Sequence, residues 1–339
     1  MSPRRMDSRS DEDDVRVRPT RHGSRPRTRQ RPTHEEAVPG LVIAVDRGRM
    51  TVRVPGPDGT PVDVTAMRAR ELGKHGVVVG DSVRLVGDVS GQTDTLARIV
   101  SIAERRTTLR RSADDTDPTE RVVVANADQL VVVSAVKDPE PSIGFLDRCL
   151  VAAYAGGLSP VLLFTKGDLG SPAELLRRYA GLEVDAVVVS QDTPVDDVAA
   201  RLAGRMSVLI GHSGVGKSTL VNRLVPDAFR ATGGVSKVGK GRHTSSSAVL
   251  LDLPGGGQII DTPGIRSFGL AHVTADDVLA SSPDLAEAAL DCPPGCGHRT
   301  EDPDCALDAW ADAGPPVRRE RLAGFRVLLD AVGQLDPGH

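Results

Sequence analysis

The stretch Gly211-His212-Ser213-Gly214-Val215-Gly216-Lys217-Ser218 carries the residue types that a chain of phosphates needs. It reads G-x-x-x-x-G-K-S, the phosphate-binding loop, and Thr219 follows it. The glycines let the backbone turn tightly, so that successive N–H groups converge on phosphate oxygens. Lys217 would reach the β- and γ-phosphates, and the Ser218 hydroxyl would hold Mg²⁺. The motif works only between a strand and a helix. The apolar run Met206 to Ile210 predicts the strand, and Thr219 to Leu224 predicts the helix, whose N-terminal end adds positive potential.

Two further groups of residues suit a guanine nucleotide. Asp261-Thr262-Pro263-Gly264 follows the apolar pair Ile259-Ile260 and reads D-x-x-G. Asp261 would meet Mg²⁺ through water, and the Gly264 N–H would meet the γ-phosphate. Upstream, Thr165-Lys166-Gly167-Asp168 ends the apolar run Val161 to Phe164. Asp168 can accept both donors on the guanine edge, and the Lys166 stem can cover the base. Ser190, after the Val187 to Val189 run, is placed like the loop that touches guanine O6. The order along the chain is therefore base, base, phosphate, switch, switch, which is a circular permutation of the usual arrangement.

In that order the chain resembles the RsgA family of circularly permuted GTPases, which depend on the small ribosomal subunit. The shared words are Phe145-Leu146-Asp147-Arg148, Gly241-Arg242-His243-Thr244 and Asp261 to Gly269, followed by a Cys/Cys/His/Cys cluster. The resemblance spans roughly residues 38 to 330. It implies GTP hydrolysis to GDP and phosphate, a role in late maturation of the 30S subunit, contact with 16S rRNA, and a monomer in the cytoplasm. The implied fold class is α/β: a circularly permuted P-loop GTPase core with an N-terminal OB-type β-barrel and a C-terminal zinc-binding helical domain. The expected boundaries are a tail over residues 1–36, the barrel over 37–105, a linker over 106–118, the GTPase core over 119–270 and the zinc-binding domain over 271–339. Because D-x-x-G runs straight into the last domain, switch II is in a position to move it.

The switch I candidate is Thr232 to Ser247, with Thr244 or Ser245 supplying a hydroxyl to Mg²⁺. The family usually has two threonines there, whereas this chain has Thr-Ser. Many GTPases place a water-orienting glutamine after D-x-x-G, but here the residue is Ile265, which offers no hydrogen bond. The reading therefore predicts slow intrinsic turnover, with the water positioned by His243 or by a group on a partner. Lys217, His243 and Thr244 form the catalytic set. Gly214 stands where potassium-activated GTPases carry Asn, so no K⁺ site is expected. Thr165 replaces the usual Asn of the base motif. It can make fewer hydrogen bonds to the phosphate loop, so weaker guanine binding is expected.

Cys292-x3-Cys296-x-His298-x6-Cys305 offers three thiolates and an imidazole, a set that suits closed, structural Zn²⁺. The family spacing is one residue longer before the second Cys and one shorter before the last. Both gaps read as loops that can absorb the change. Cys149, in an apolar segment, reads as a packed core residue.

Five short apolar runs between Leu41 and Ile102, parted by Gly, Pro and Asp, predict a small barrel with almost no aromatic residues. Shape and phosphate contacts suit such a surface better than base stacking. Near-continuous valine runs at Arg121–Val124 and Gln129–Val133 predict strands of a parallel sheet. A helix is expected over residues 317 to 332; its Arg318, Arg319, Arg321 and Arg326 face either rRNA or solvent.

The chain has 339 residues and a net charge of −4, yet residues 15 to 31 hold seven arginines and no acid. That tail reads as disordered, either an arm for RNA phosphates or a solvated extension. No apolar run approaches the ~20 residues of a membrane span. The N-terminus lacks the apolar stretch of a signal peptide. Four cysteines, three of them clustered, exclude a disulfide framework and suit a reducing compartment. Two other readings fit part of the pattern. One is an ATPase with a degenerate base motif; the other is a non-catalytic RNA-binding module that uses GTP as a conformational latch.

Overall fold

The computed structural model describes residues 34–46, 48–72, 76–112, 120–182, 184–226, 248–262 and 273–333. The arginine-rich tail before residue 34 lies outside the described residues, as do His243, Thr244, Ser245, Gly264 and Ile265.

Strands β1 (Val38–Asp46), β2 (Arg49–Pro55), β3 (Pro61–Arg68), β4 (Ser82–Gly87) and β5 (Ala97–Ile102) form the predicted barrel. Along β2, β3 and β4, buried and open residues alternate, the period of a strand with one apolar face. The strands run β1-β2-β3-β5-β4, and β4 returns to pair with β1, so the sheet closes. Its interior is Val42, Met50, Val52, Val54, Val64, Ala66, Val83, Leu85, Ala97 and Ile99, with no aromatic ring.

The stretch expected to be a linker is partly a strand. β6 (Thr108–Ser112) pairs antiparallel with β7 (Glu120–Ala125) in a separate two-stranded sheet. The valine run at residues 122–124 thus belongs to this hairpin and not to the parallel sheet. Leu109 and Val124 face each other and are fully buried, which explains why the run is apolar.

The hairpin also anchors the barrel. Gly80 has φ +89°, and a Cβ there would stand 1.9 Å from the Ala125 carbonyl oxygen, so a side chain is sterically barred. Asn126 Nδ2 donates to Gly80 O at 2.9 Å, and the Arg106 N–H donates to Asn126 Oδ1 at 2.9 Å. The fully buried Asp81 carboxylate accepts two bonds from Arg105, at 2.7 and 2.9 Å. Arg105 is thereby committed within the barrel, and the Arg106 main chain is committed to Asn126.

The GTPase core continues with β8 (Gln129–Ala135), α1 (Ile143–Ala155), β9 (Ser159–Thr165), α2 (Ala173–Arg178), β10 (Asp185–Val188), α3 (Asp196–Leu202), β11 (Met206–Ile210), α4 (Lys217–Leu224), β12 (Val249–Asp252) and β13 (Gln258–Asp261). The strand order is β10-β9-β8-β11-β13-β12, parallel except for β12. Every residue of β8 is buried, as a central strand covered on both faces requires. At the far edge, β12 pairs with β1 of the barrel, and Arg53 Nη1 bridges to Asp252 at 2.5 Å.

Helices α5 (Ala275–Ala280), α6 (Pro283–Ala288), α7 (Ala306–Asp312) and α8 (Pro316–Gly333) complete the chain. Thr274 and Asp277 make reciprocal capping bonds that start α5. Leu322, Phe325, Leu328 and Leu329 of α8 share one core with Phe145, Leu146 and Leu150 of α1. Asp147 is buried on α1, where it accepts from Tyr179 Oη at 2.7 Å and from Arg178 Nη2 at 2.8 Å. Burial and the Asp147 contact together push the Tyr179 phenol well above its ordinary value. Asp147 of the Phe-Leu-Asp-Arg word is therefore a packing residue that fastens α1 to α2.

The arginines of α8 are engaged within the protein. Arg321 binds Asp284 through two nitrogens at 3.0 and 3.1 Å. Arg326 binds Asp308 twice at 2.8 Å, Arg319 meets Asp312 at 3.0 Å, and Arg318 lies 4.6 Å over the Trp310 ring. This favours the packing role over a free rRNA-facing row.

Candidate functional site

The phosphate loop leaves the buried end of β11 and enters α4, the setting its motif requires. A Cβ on Gly211 would come within 2.4 Å of the Val133 carbonyl oxygen, so only glycine lets the loop pass beside β8. Gly214 and Gly216 have φ +83° and +90°, which turn the backbone N–H groups to one side. Val215 is buried and pins the loop, while Ser218 and Thr219 are open. The His212 ring packs on Phe145, with centroids 4.1 Å apart. This gives Phe145 a place beside the loop that its position in the chain does not suggest. Ser213 lines a cavity of about 360 Å³ with Ser134, Pro139 and Glu140.

Asp261 ends β13, the strand next to β11, and Lys217 Nζ forms an ion pair with its Oδ1. Thr262 Oγ1 donates to Leu209 O at 2.8 Å, tying the start of D-x-x-G to the strand before the phosphate loop. Lys217 and Asp261 thus meet at one point, next in sequence to the open Ser218, with charges suited to a phosphate–Mg²⁺ pair.

Thr165 ends β9 on the other side of β8. Its buried hydroxyl donates to Val215 O inside the phosphate loop and packs beside Gly216, where an added Cβ would lie 3.6 Å from Oγ1. A single hydroxyl thus links base loop and phosphate loop at the Val215 carbonyl, where an asparagine amide could offer more bonds. Lys166 takes φ +56°, and its Nζ donates to Asp138 O. Gly167 donates its N–H to Val189 O at 3.0 Å and lies against Ser190, so the two base segments touch. Asp168 is exposed on the 3₁₀ turn Gly167–Leu169, free to face a base.

Arg223 is a further residue at the base loop. From the last turn of α4 it donates to Ser190 O at 3.0 Å and to Thr193 O. No motif marks it, since its acceptors are backbone carbonyls.

Some distance from this site, Cys292, Cys296, His298 and Cys305 come together with their ligand atoms all within 4.8 Å of one another. His298 Nδ1 lies 3.5, 3.6 and 3.9 Å from the sulfurs of Cys292, Cys296 and Cys305, and the Cys292 and Cys305 sulfurs are 4.0 Å apart. A tetrahedral zinc with bonds of about 2.3 Å to sulfur and about 2.0 Å to nitrogen sets spacings of about 3.8 Å between sulfurs and about 3.5 Å from sulfur to nitrogen. The cluster is therefore compatible with Zn²⁺, and the altered spacing in the sequence is absorbed by its loops. Gly295 and His298 have positive φ, forming the knuckle. Burial, with the neighbouring Cys305 and Cys292, pushes the Cys296 thiol up to about 11, while the His298 N–H acts the other way. Crowded thiols of this kind give up their protons readily only to a metal. Cys149 is fully buried, and burial raises its thiol well above the usual range, as fits a packed residue.

The sequence model of the RsgA GTPase family matches residues 102–271. A protein of Alcanivorax borkumensis named small ribosomal subunit biogenesis GTPase RsgA is 39% identical over 268 residues, covering 76% of this chain and 74% of that protein. Its namesake in Chlorobaculum tepidum is 35% identical over 274 residues, covering 77% of this chain and 87% of its own length. Among solved structures, YloQ, described as a circularly permuted GTPase, superposes with a TM-score of 0.63 at 23% identity over 91% of this chain and 99% of its own. YjeQ from Thermotoga maritima gives 0.61 at 25% identity, covering 88% and 99%. The family works on GTP and GDP with Mg²⁺. The chain belongs to the RsgA GTPase family and is a GTP hydrolase with a circularly permuted core.

Proposed function

We propose that this chain binds the small (30S) ribosomal subunit, contacts its 16S rRNA, assists its late maturation, and hydrolyses GTP to GDP and phosphate while bound. The observation that carries the reading is the meeting of Thr165, Lys217 and Asp261 at one end of the sheet, in permuted order, on a barrel-bearing chain whose relatives are named for small-subunit biogenesis. Asp168 and Ser190 read the guanine, with Lys166 covering it. The loop from Gly211 to Thr219 cradles the phosphates. Ser218 and Asp261 hold Mg²⁺ with Thr244 or Ser245, and Gly264 meets the γ-phosphate. Zn²⁺ at Cys292, Cys296, His298 and Cys305 is structural. Among the described residues no helix is long and apolar enough to cross a membrane. The chain acts as a monomer in the cytoplasm.

The test is GTP turnover by the purified protein, alone and with added subunits. We expect 30S to raise the rate by orders of magnitude and 50S to leave it unchanged. A rate indifferent to 30S removes the ribosomal part of the proposal and leaves the nucleotide chemistry standing.

His243 is assigned to positioning the attacking water, because Ile265 cannot. His243→Ala is expected to lower 30S-stimulated turnover by about 10²-fold, the usual worth of a positioned acid–base group, with GDP affinity unchanged. Turnover equal to wild type takes His243 out of the mechanism.

A further inference from the structure

We infer that Arg223 is a positioning residue for base selectivity, holding the loop from Ser190 to Thr193 so that it reads the O6 edge of guanine. The inference rests on the nucleotide reading above.

Arg223 sits on α4, the helix that the phosphate loop opens. Its Nη1 donates to Ser190 O at 3.0 Å and its Nη2 to Thr193 O. The planar guanidinium fork suits two carbonyls at once, which an ammonium cannot match. Within the loop, Thr193 Oγ1 accepts from the Ser190 N–H at 2.9 Å and donates to Ser190 O at 3.1 Å. Ser190 O therefore receives both the arginine and the threonine, and the loop closes into one turn. That turn is set against the other base segment: a Cβ on Gly167 would lie 3.1 Å from Ser190 Oγ. With Thr165 bonded to Val215 O on the other side, the base-reading parts are fastened twice to the phosphate loop and its helix. Without Arg223, the Ser190 loop keeps, among the described residues, its internal bonds and its contact with Gly167.

The chemistry gives a selective readout. Guanine differs from 2-aminopurine at both O6 and N1–H, and from hypoxanthine by the 2-amino group alone. The Ser190 loop reads O6, and Asp168 reads N1–H and the 2-amino group. The N1–H loss is the same in wild type and variant, so a change in the ratio reports O6. Binding of GDP, IDP and 2-aminopurine riboside diphosphate to the full-length chain separates them. Arg223→Ala is expected to reduce the preference for GDP over the 2-aminopurine nucleotide about tenfold, the worth of one hydrogen bond, and to leave the preference for GDP over IDP intact. Arg223→Lys recovers part of the loss. Thr193→Val removes a single hydroxyl and shifts the same ratio in the same direction, so the test does not hang on one variant folding. Equal weakening toward all three nucleotides, or unchanged ratios in both Arg223→Ala and Thr193→Val, overturns the inference. A wild-type chain that binds GDP and IDP alike overturns the guanine reading itself, a failure distinct from that of Arg223.

Discussion

Lys217→Ala is expected to lower kcat/KM for GTP by about 10²–10³-fold, the usual loss when one preorganised charged donor is removed from a transferring group. The structure shows why little compensation is available. The Lys217 side chain is only 11% exposed, between the glycine turn and β13, and its ammonium already meets Asp261. With GTP and Mg²⁺ bound, Lys217 would hold the phosphates and Asp261 would serve the metal side. Alanine leaves Asp261 without its cation beside an incoming polyanion, so binding and turnover fall together. Lys217→Arg gives little recovery, because the planar fork does not fit a pocket shaped for a compact ammonium. The β-sheet core lies beneath this position, so the variant keeps the wild-type circular dichroism spectrum. A variant with kcat/KM within threefold of wild type would falsify the phosphate role of Lys217.

Loss of zinc should have the largest effect on stability. Binding to Cys/His sites in small zinc peptides is worth about 10–16 kcal/mol, and if even a third of that supports folding here, roughly 4 kcal/mol is at stake. For a domain of this size such a loss lowers the melting temperature by about 10 °C. The damage should centre on the helical C-terminus, since the knuckle is built into it. Arg326 of α8 donates to His298 O at 3.1 Å and to Arg299 O at 3.3 Å, while its remaining bonds hold Asp308 of α7. Cys305 is itself the residue that starts α7. Melting this knuckle frees α8 from α7 and loosens the apolar face that α8 lays on α1. The checks are one zinc per chain by elemental analysis, and a chelator-sensitive melting curve that Cys305→Ala reproduces without chelator. A metal-free protein of unchanged melting temperature rules the zinc role out.

How much of this was legible in the sequence differs from element to element. The barrel strands could be placed because alternation of buried and open residues is written into each strand. The hairpin of β6 and β7 was read otherwise. Its valines resemble those of a central parallel strand, and only the burial of Leu109 against Val124 shows that their partner is a neighbouring strand. The four arginines of α8 formed a plausible RNA-facing row on a helical projection. Their carboxylate and aromatic partners come from other elements, so the projection could not assign them.

The sequence by itself determined the motifs: the phosphate-loop pattern at Gly211 to Ser218, the aspartates Asp261 and Asp168 in permuted order, and the cluster Cys292, Cys296, His298 and Cys305. These are local matters, because each depends on residue type and on the backbone turns that glycine and its neighbours permit. Only the tertiary structure decided how the pieces are locked. Thr165 holds Val215, Arg223 holds Ser190 and Thr193, and Arg106 with Asn126 holds the barrel at Gly80. Most of these bonds end on backbone carbonyls. Every residue carries one, so the sequence cannot mark which will be the acceptor until the sheet has brought distant segments within about 3 Å of each other.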